Sequence, residues 1–218
     1  TAITSTATTI QDMKGYALYF PRFDYKKTLD VTGPYTHGQD YSNSSLTNTI
    51  SGNALADGWN LVGNPYPCVI DWDAASGWTK TGLNNVIYFW DQKNNRYAGY
   101  VNGIGVNGGT RYIPAMQAFY VVVSTPGGTG TLAMNNNVRT TASNPDVWRV
   151  ASEDKIIRLK ADNGTFNDET VIRLSEDATE QFDNQLDAHK IPSGGTTPSI
   201  STKLGSVNYM VNSIPNAM

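Results

Sequence analysis

The chain has one cysteine, Cys68, and two histidines, His37 and His189, in 218 residues. A single thiol closes no internal disulfide and builds no multi-cysteine zinc site, and two imidazoles leave little for a histidine-rich metal centre or a histidine-based catalytic apparatus. Glutamate is missing from residues 1–150, where nine Asp face ten Lys and Arg; residues 151–218 hold four Glu and six Asp against six basic residues. No apolar run approaches the roughly 18–20 residues that a membrane-spanning helix needs, so no membrane span is expected. Net charge is −3 and the isoelectric point about 5.3. Without a basic field to collect phosphates, nucleic acid is not an expected partner.

What is abundant is turn-forming and β-tolerant: 24 Thr, 21 Asn and 20 Gly, with only 16% charged residues. That composition excludes a coiled coil or helix bundle. Strand-like runs recur between Gly, Pro, Asn and Asp punctuation at 15–20, 27–31, 46–50, 59–62, 86–90, 96–101, 118–123 and 129–134. Further runs follow at 155–161, 169–175, 188–191, 200–203 and 208–212. Helical geometry is expected only as a turn at 73–78 and a short helix at 176–184. Residues 91–95 (DQKNN) read as a hairpin loop, because Asn tolerates the positive φ of tight turns. The polar, aperiodic stretch 135–145 reads as a connection, and the compositional change places a boundary at 143–150. The expected fold class is all-β: two consecutive antiparallel β-sandwich, jelly-roll-like domains over 1–146 and 147–218. The second has few residues for a complete sandwich, and the chain reads as a piece of a longer polypeptide.

The densest motif is Gly58-Trp59-Asn60-Leu61-Val62-Gly63-Asn64-Pro65-Tyr66-Pro67, followed by Ile70-Asp71-Trp72-Asp73. Two prolines fix an extended segment, and Asn64 ahead of Pro65 is biased to the extended conformation, where its amide can satisfy backbone groups of the loop. The plain expectation is a rigid loop folding over a sandwich edge. The sharper one is a sugar platform, which needs exposed aromatic faces beside short polar side chains. Trp59 and Trp90 lie inside strand patterns and read as core, whereas Trp78, between Gly77 and Thr79, reads as exposed. The candidate ligand-binding residues are Trp72, Trp78, Tyr97 and Tyr112 with Asp71 and Asp73. In a strand those two carboxylates would share a face about 6–7 Å apart, within the roughly 5–9.5 Å separation that glycoside hydrolysis uses.

Residues 162–169 (DNGTFNDE) collect oxygen-bearing side chains around a glycine. A solvated hairpin is the ordinary reading; calcium, which takes six to eight oxygens, is the one cofactor the loop suggests, with Asp162, Asn167, Asp168 and Glu169 as ligands. The Gly103–Gly108 spelling of a dinucleotide fingerprint lacks a βαβ context and reads as a loop between strands.

Taken together, the 58–67 motif with Ile70-Asp71-Trp72, then Val86-Ile87-Tyr88-Phe89-Trp90, then Ile113-Pro114-Ala115-Met116-Gln117-Ala118-Phe119-Tyr120-Val121, resembles a region common in large secreted proteins of Bacteroidota. Downstream, 168–174, 182–183, 187–190 and 208–215 look like its continuation. The resemblance implies export through type IX secretion to the cell surface or medium. In such proteins the region lies ahead of a sorting domain, in adhesin-like proteins and polysaccharide-active enzymes alike, and it carries no assigned catalytic residues. The expected function is a non-catalytic extracellular module for attachment or for spacing a neighbouring domain. Its rivals are a carbohydrate-binding module and a glycoside hydrolase. Expected partners are a polysaccharide or other cell-surface ligand, neighbouring domains, and a partner strand at the C-terminal edge.

From composition and punctuation alone, far-UV circular dichroism is expected to show a strand spectrum with very little helix. A helix-dominated spectrum would overturn the fold class.

Overall fold

A computed structural model describes residues 9–17, 32–33, 38–53, 56–142 and 155–216. The described residues form fifteen strands and no α-helix: β1 (Tyr41–Thr47), β2 (Trp59–Gly63), β3 (Ile70–Asp71), β4 (Trp78–Thr81), β5 (Val86–Asp91), β6 (Arg96–Val101), β7 (Ile104–Val106), β8 (Tyr112–Ile113), β9 (Ala118–Val122), β10 (Thr129–Met134), β11 (Lys155–Asp162), β12 (Asn167–Ser175), β13 (Ala188–His189), β14 (Thr202–Leu204) and β15 (Val207–Pro215). The all-β class holds. The expected run 27–31 and the boundary at 143–150 lie outside the described residues, as does the end of the run 15–20.

The strands β2-β9-β5-β6-β7 form a central five-stranded antiparallel sheet. Its sequences are apolar without interruption, VIYFW in β5 and AFYVV in β9. Successive side chains of a strand point to opposite faces, so such runs suit strands covered on both sides. On one face Val62, Ile87, Tyr100, Phe119 and Val121 pack with Leu132 and Met134 of β10, Tyr41 and Leu46 of β1, Ile70 of β3 and Ile113 of β8. On the other face Val86, Tyr88, Val101, Ile104, Val106 and Val122 pack with Val171, Ala188, Met210 and Val211. The outer layers are the sheet β1-β10-β4 with the short β3-β8 pair, and the five-stranded sheet built by β11, β12, β15, β13 and β14. Residues 155–216 therefore supply one sheet whose apolar face docks on the sheet made by residues 59–122.

Three details differ from the sequence expectations. Residues 176–184 form turns rather than a short helix. There Asp187 Oδ2 accepts from Asp183 N, Asp183 Oδ1 from Gln185 N and Thr179 Oγ1 from Gln181 N. Such side-chain bonds compete with helical ones. Pairing in the C-terminal sheet is mixed, not purely antiparallel: β12 and β15 run parallel from Val171↔Val211 to Ser175↔Pro215.

The C-terminal strand is also not an edge. β15 pairs with β12, β13 and β14, so the open flank expected there is filled from within the chain. At the other end of this sheet β11 pairs only with β12. Lys155, Arg158 and Lys160 charge that strand, an arrangement that opposes addition of another strand.

The two layers meet closely at Gly99, where an added Cβ would lie 2.5 Å from Met210 Sδ and 3.4 Å from Tyr88 Cδ1. Gly99→Ala is expected to lower stability by about 1–3 kcal/mol through overpacking, read as a lower urea midpoint. An unchanged midpoint would show that the layers are not in contact at this point.

Candidate functional site

The 58–67 motif works as a structural clasp. Gly58 sits at φ +81°, and a Cβ there would meet Val123 O at 2.8 Å, so the residue must be glycine on both counts. Beyond β2 the chain turns at Asn64, whose buried Nδ2 donates to three carbonyls, Cys68 O (2.9 Å), Ile113 O (3.1 Å) and Pro114 O (2.9 Å). Its Oδ1 accepts from Tyr66 N, and its own N–H donates to Gln117 O. One amide thus ties the motif to the segment 113–117. Tyr66, packed edge-on against Tyr41, donates its hydroxyl to Gln39 O.

Past the clasp, four of the six sequence candidates gather with Asp73, and all are engaged with one another. Trp72 is fully buried; its indole N–H donates to Asn85 O. It presents no face to a ligand, which corrects its assignment as a stacking residue. Trp78 lies on β4 rather than in an exposed loop, half-buried edge-on to Trp72 and donating to Asp71 O. Asp71 receives both arms of Arg111, Nε at 2.6 Å and Nη2 at 2.5 Å. Asp73 accepts from the Tyr100 hydroxyl and lies 3.8 Å from Arg111 Nη1. Tyr112 pairs with Asp71 across β3 and β8, with the Arg111 guanidinium 5.6 Å from its ring. Lys80 Nζ lies 3.6 Å over the Trp72 ring and donates to Trp72 O.

Lys80, Arg111 and the contact of Tyr100 with Asp73 were not legible in the sequence. These residues come from three other strands or loops, and only β-pairing delivers them. Burial raises the Tyr100 phenol, and the hydrogen bond to Asp73 adds to the shift. Lys80 is drawn down to about 8 by burial, with Asp73 and Asp71 opposing.

Tyr97, the sixth candidate, lies on the opposite face of the central sheet. It belongs to an aromatic group with Trp59, Trp90 and Tyr120, whose ring planes meet at 45–73° rather than forming a flat row. Trp90, assigned to the core from its strand pattern, is 46% exposed at the hairpin end of β5.

Cations and amides engage the residues expected to ligate calcium. Asp168, fully buried, pairs with Lys190 Nζ at 2.5 Å and accepts from Asn107 Nδ2 and Ile200 N. Glu169 meets Arg158 at 2.5 Å and Lys160 at 3.6 Å, and accepts from Asn107 N. Arg96 binds Asn167, while Asp162 caps Gly164 N. Among the described residues no three His, Cys, Asp or Glu side chains come together as a metal cluster. Lys190 and Asp168 form a buried ion pair within the C-terminal segment, and burial pulls the lysine pKa down while Asp168 opposes it.

Two concavities stand out. One, of about 420 Å³, is lined by Asn84, Ser124, Thr179, Phe182, Asp183 and Asn184. The other, of about 200 Å³, lies between β1, β4 and β10. Neither touches Asp71, Asp73 or Arg111. No helix among the described residues is long and apolar enough to cross a membrane.

Titration follows from these placements. Lys80 titrates near 8 when folded and at 10.5 when solvated. Between those values the unfolded chain holds the extra proton, so stability should rise with pH. Burial raises the phenols of Tyr88 and Tyr100. Above about pH 10 the unfolded chain sheds phenolic protons that the folded chain keeps, so stability should then fall. Urea unfolding from pH 7 to 11 is expected to show a maximum between about 8 and 10, with the rising limb shallower in Lys80→Met and the remainder carried by Lys190, which burial also draws down. A rising limb equally steep in Lys80→Met would refute the assignment.

The model of the family described as "Domain of unknown function (DUF8693)" matches residues 1–215. No curated protein and no solved structure matches the chain.

Proposed function

We propose, from the premise that this chain belongs to the DUF8693 family, that it is a non-catalytic extracellular module which attaches a larger surface protein or spaces its neighbouring domains. The observation that carries this is the state of the paired carboxylates. Asp71 is clamped bidentately by Arg111, and Asp73 is held by Tyr100. A general acid must present a protonated carboxyl to the leaving group, and a nucleophile or base a free carboxylate. The arginine fork occupies both oxygens of Asp71, leaving neither open to a substrate.

The motif residues have the same character. Gly58, Asn64, Tyr66 and Trp72 spend their polar groups and apolar area on joining strands. Extracellular placement is supported by the resemblance of the 58–67, 86–90 and 113–121 segments to secreted Bacteroidota proteins. A lone cysteine is compatible with an oxidising compartment because it leaves no pair to close.

The test is direct. Incubated with soluble polysaccharides, the chain is expected to release no reducing ends, and Asp71→Asn is expected to lower stability by about 1–3 kcal/mol. Hydrolysis abolished by Asp71→Asn at an unchanged melting temperature would overturn the proposal in favour of a hydrolase.

A further inference from the structure

The larger concavity lies where the central sheet meets the C-terminal segment: Asn84 and Ser124 come from the ends of the central sheet, Thr179, Phe182, Asp183 and Asn184 from the turns of 176–187. Phe182 is stacked on His189, centroids 4.2 Å apart with ring planes 17° from parallel, and His189 stacks in turn against Tyr209. The phenyl ring is thus held by one face at a fixed tilt. Asn85 N donates to Asn184 O across the junction, which fixes the two walls relative to each other.

Around this ring the polar groups are short and incompletely used. Asn84 is 3% exposed, and its Oδ1 is buried without a hydrogen-bond partner, a costly state that a ligand hydroxyl or water would relieve. Asp183 engages one carboxylate oxygen, Oδ1, with Gln185 N. Ser124 and Asn184 add a hydroxyl and an amide at the wall.

The lining decides the ligand class. No Lys or Arg is present to bind an anion, and one carboxylate among neutral groups does not build a cation site. One phenyl ring supplies too little apolar wall for a lipid. A single aromatic face beside hydroxyl, amide and carboxylate groups suits a neutral pyranose, whose C–H face lies on the electron-rich ring while its hydroxyls exchange hydrogen bonds with the walls. The volume of about 420 Å³ falls within the roughly 300–1,000 Å³ of small-ligand sites.

We infer that this junction pocket binds a neutral sugar residue, with Phe182 as the stacking platform and Asn84, Ser124, Asp183 and Asn184 reading its hydroxyls. The inference deepens the attachment role and rests on it, since it names the chemical class to which the module attaches.

The probes are glucose, galactose, mannose, cellobiose and lactose at millimolar concentration, followed by amide ¹H–¹⁵N shifts of the whole chain. At least one is expected to give saturable shifts centred on Asn84, Ser124 and Asn184. Phe182→Leu, which keeps apolar bulk against His189, is expected to weaken that binding at least about tenfold at an unchanged melting temperature. Should that variant unfold, Ser124→Ala and Asn184→Ala at the wall provide the same readout. No shift with any probe, binding indifferent to these variants, or shifts centred on Trp90 would overturn the pocket while leaving the non-catalytic reading intact. Cleavage of cellobiose or lactose accompanied by pocket shifts would do the reverse, upholding the pocket and removing the non-catalytic reading.

Discussion

The structure depends on one constraint: the central sheet β2-β9-β5-β6-β7 is apolar on both faces and must be covered twice. Ile87 and Phe119 face the layer containing β10, while their neighbours Val86, Tyr88 and Val122 face the layer containing β12 and β15. At roughly 25 cal/mol per Å² of apolar surface, leaving either face in water would cost a large share of a domain's stability. Residues 155–216 need not close a sandwich of their own, because the sheet they complete already has its partner in residues 59–122.

Apolar packing is non-directional, so polar groups must set the registration of these layers. Asn64 does this within the first layer pair, with one amide spent on carbonyls of two separate segments. Asn107, which follows β7 of the central sheet, does it between the central and C-terminal sheets by donating to Asp168 and Glu169 of β12, while Lys190, 2% exposed, pairs with Asp168 from within the C-terminal segment. Burying two charges contributes little net stability even when they are paired, but misplacing one partner is strongly unfavourable. Such a pair penalises any alternative placement of the 188–190 segment against β12.

The functional consequence is that the chain's most reactive-looking groups are already committed. Asp71, Asp73, Asp168 and Glu169 each have a cationic or phenolic partner, and Trp72 has no exposed face. At the junction of the central and C-terminal sheets, by contrast, Asn84 keeps an unpartnered oxygen in the concavity lined by Phe182. That concavity is therefore a product of docking.

Local residue chemistry was enough for the all-β class, for most strand positions from 59 onward and for the clasp at 58–67, because glycine and proline punctuation, apolar runs and an Asn-Pro step act over a few residues. The role of Asn64 as a backbone-satisfying amide was legible for the same reason. The continuous apolar runs of β5 and β9 carried the signal that their sheet is covered twice, yet a run of this kind does not say what covers it. The partners of Asp71, Asp73 and Asp168 were out of reach, since Arg111, Tyr100 and Lys190 lie 40, 27 and 22 residues away and meet them only through strand pairing. The same holds for exposure: Trp90 and Trp72 both read as aromatic residues in β-rich sequence, and only the packing of sheets around them left one half in water and enclosed the other.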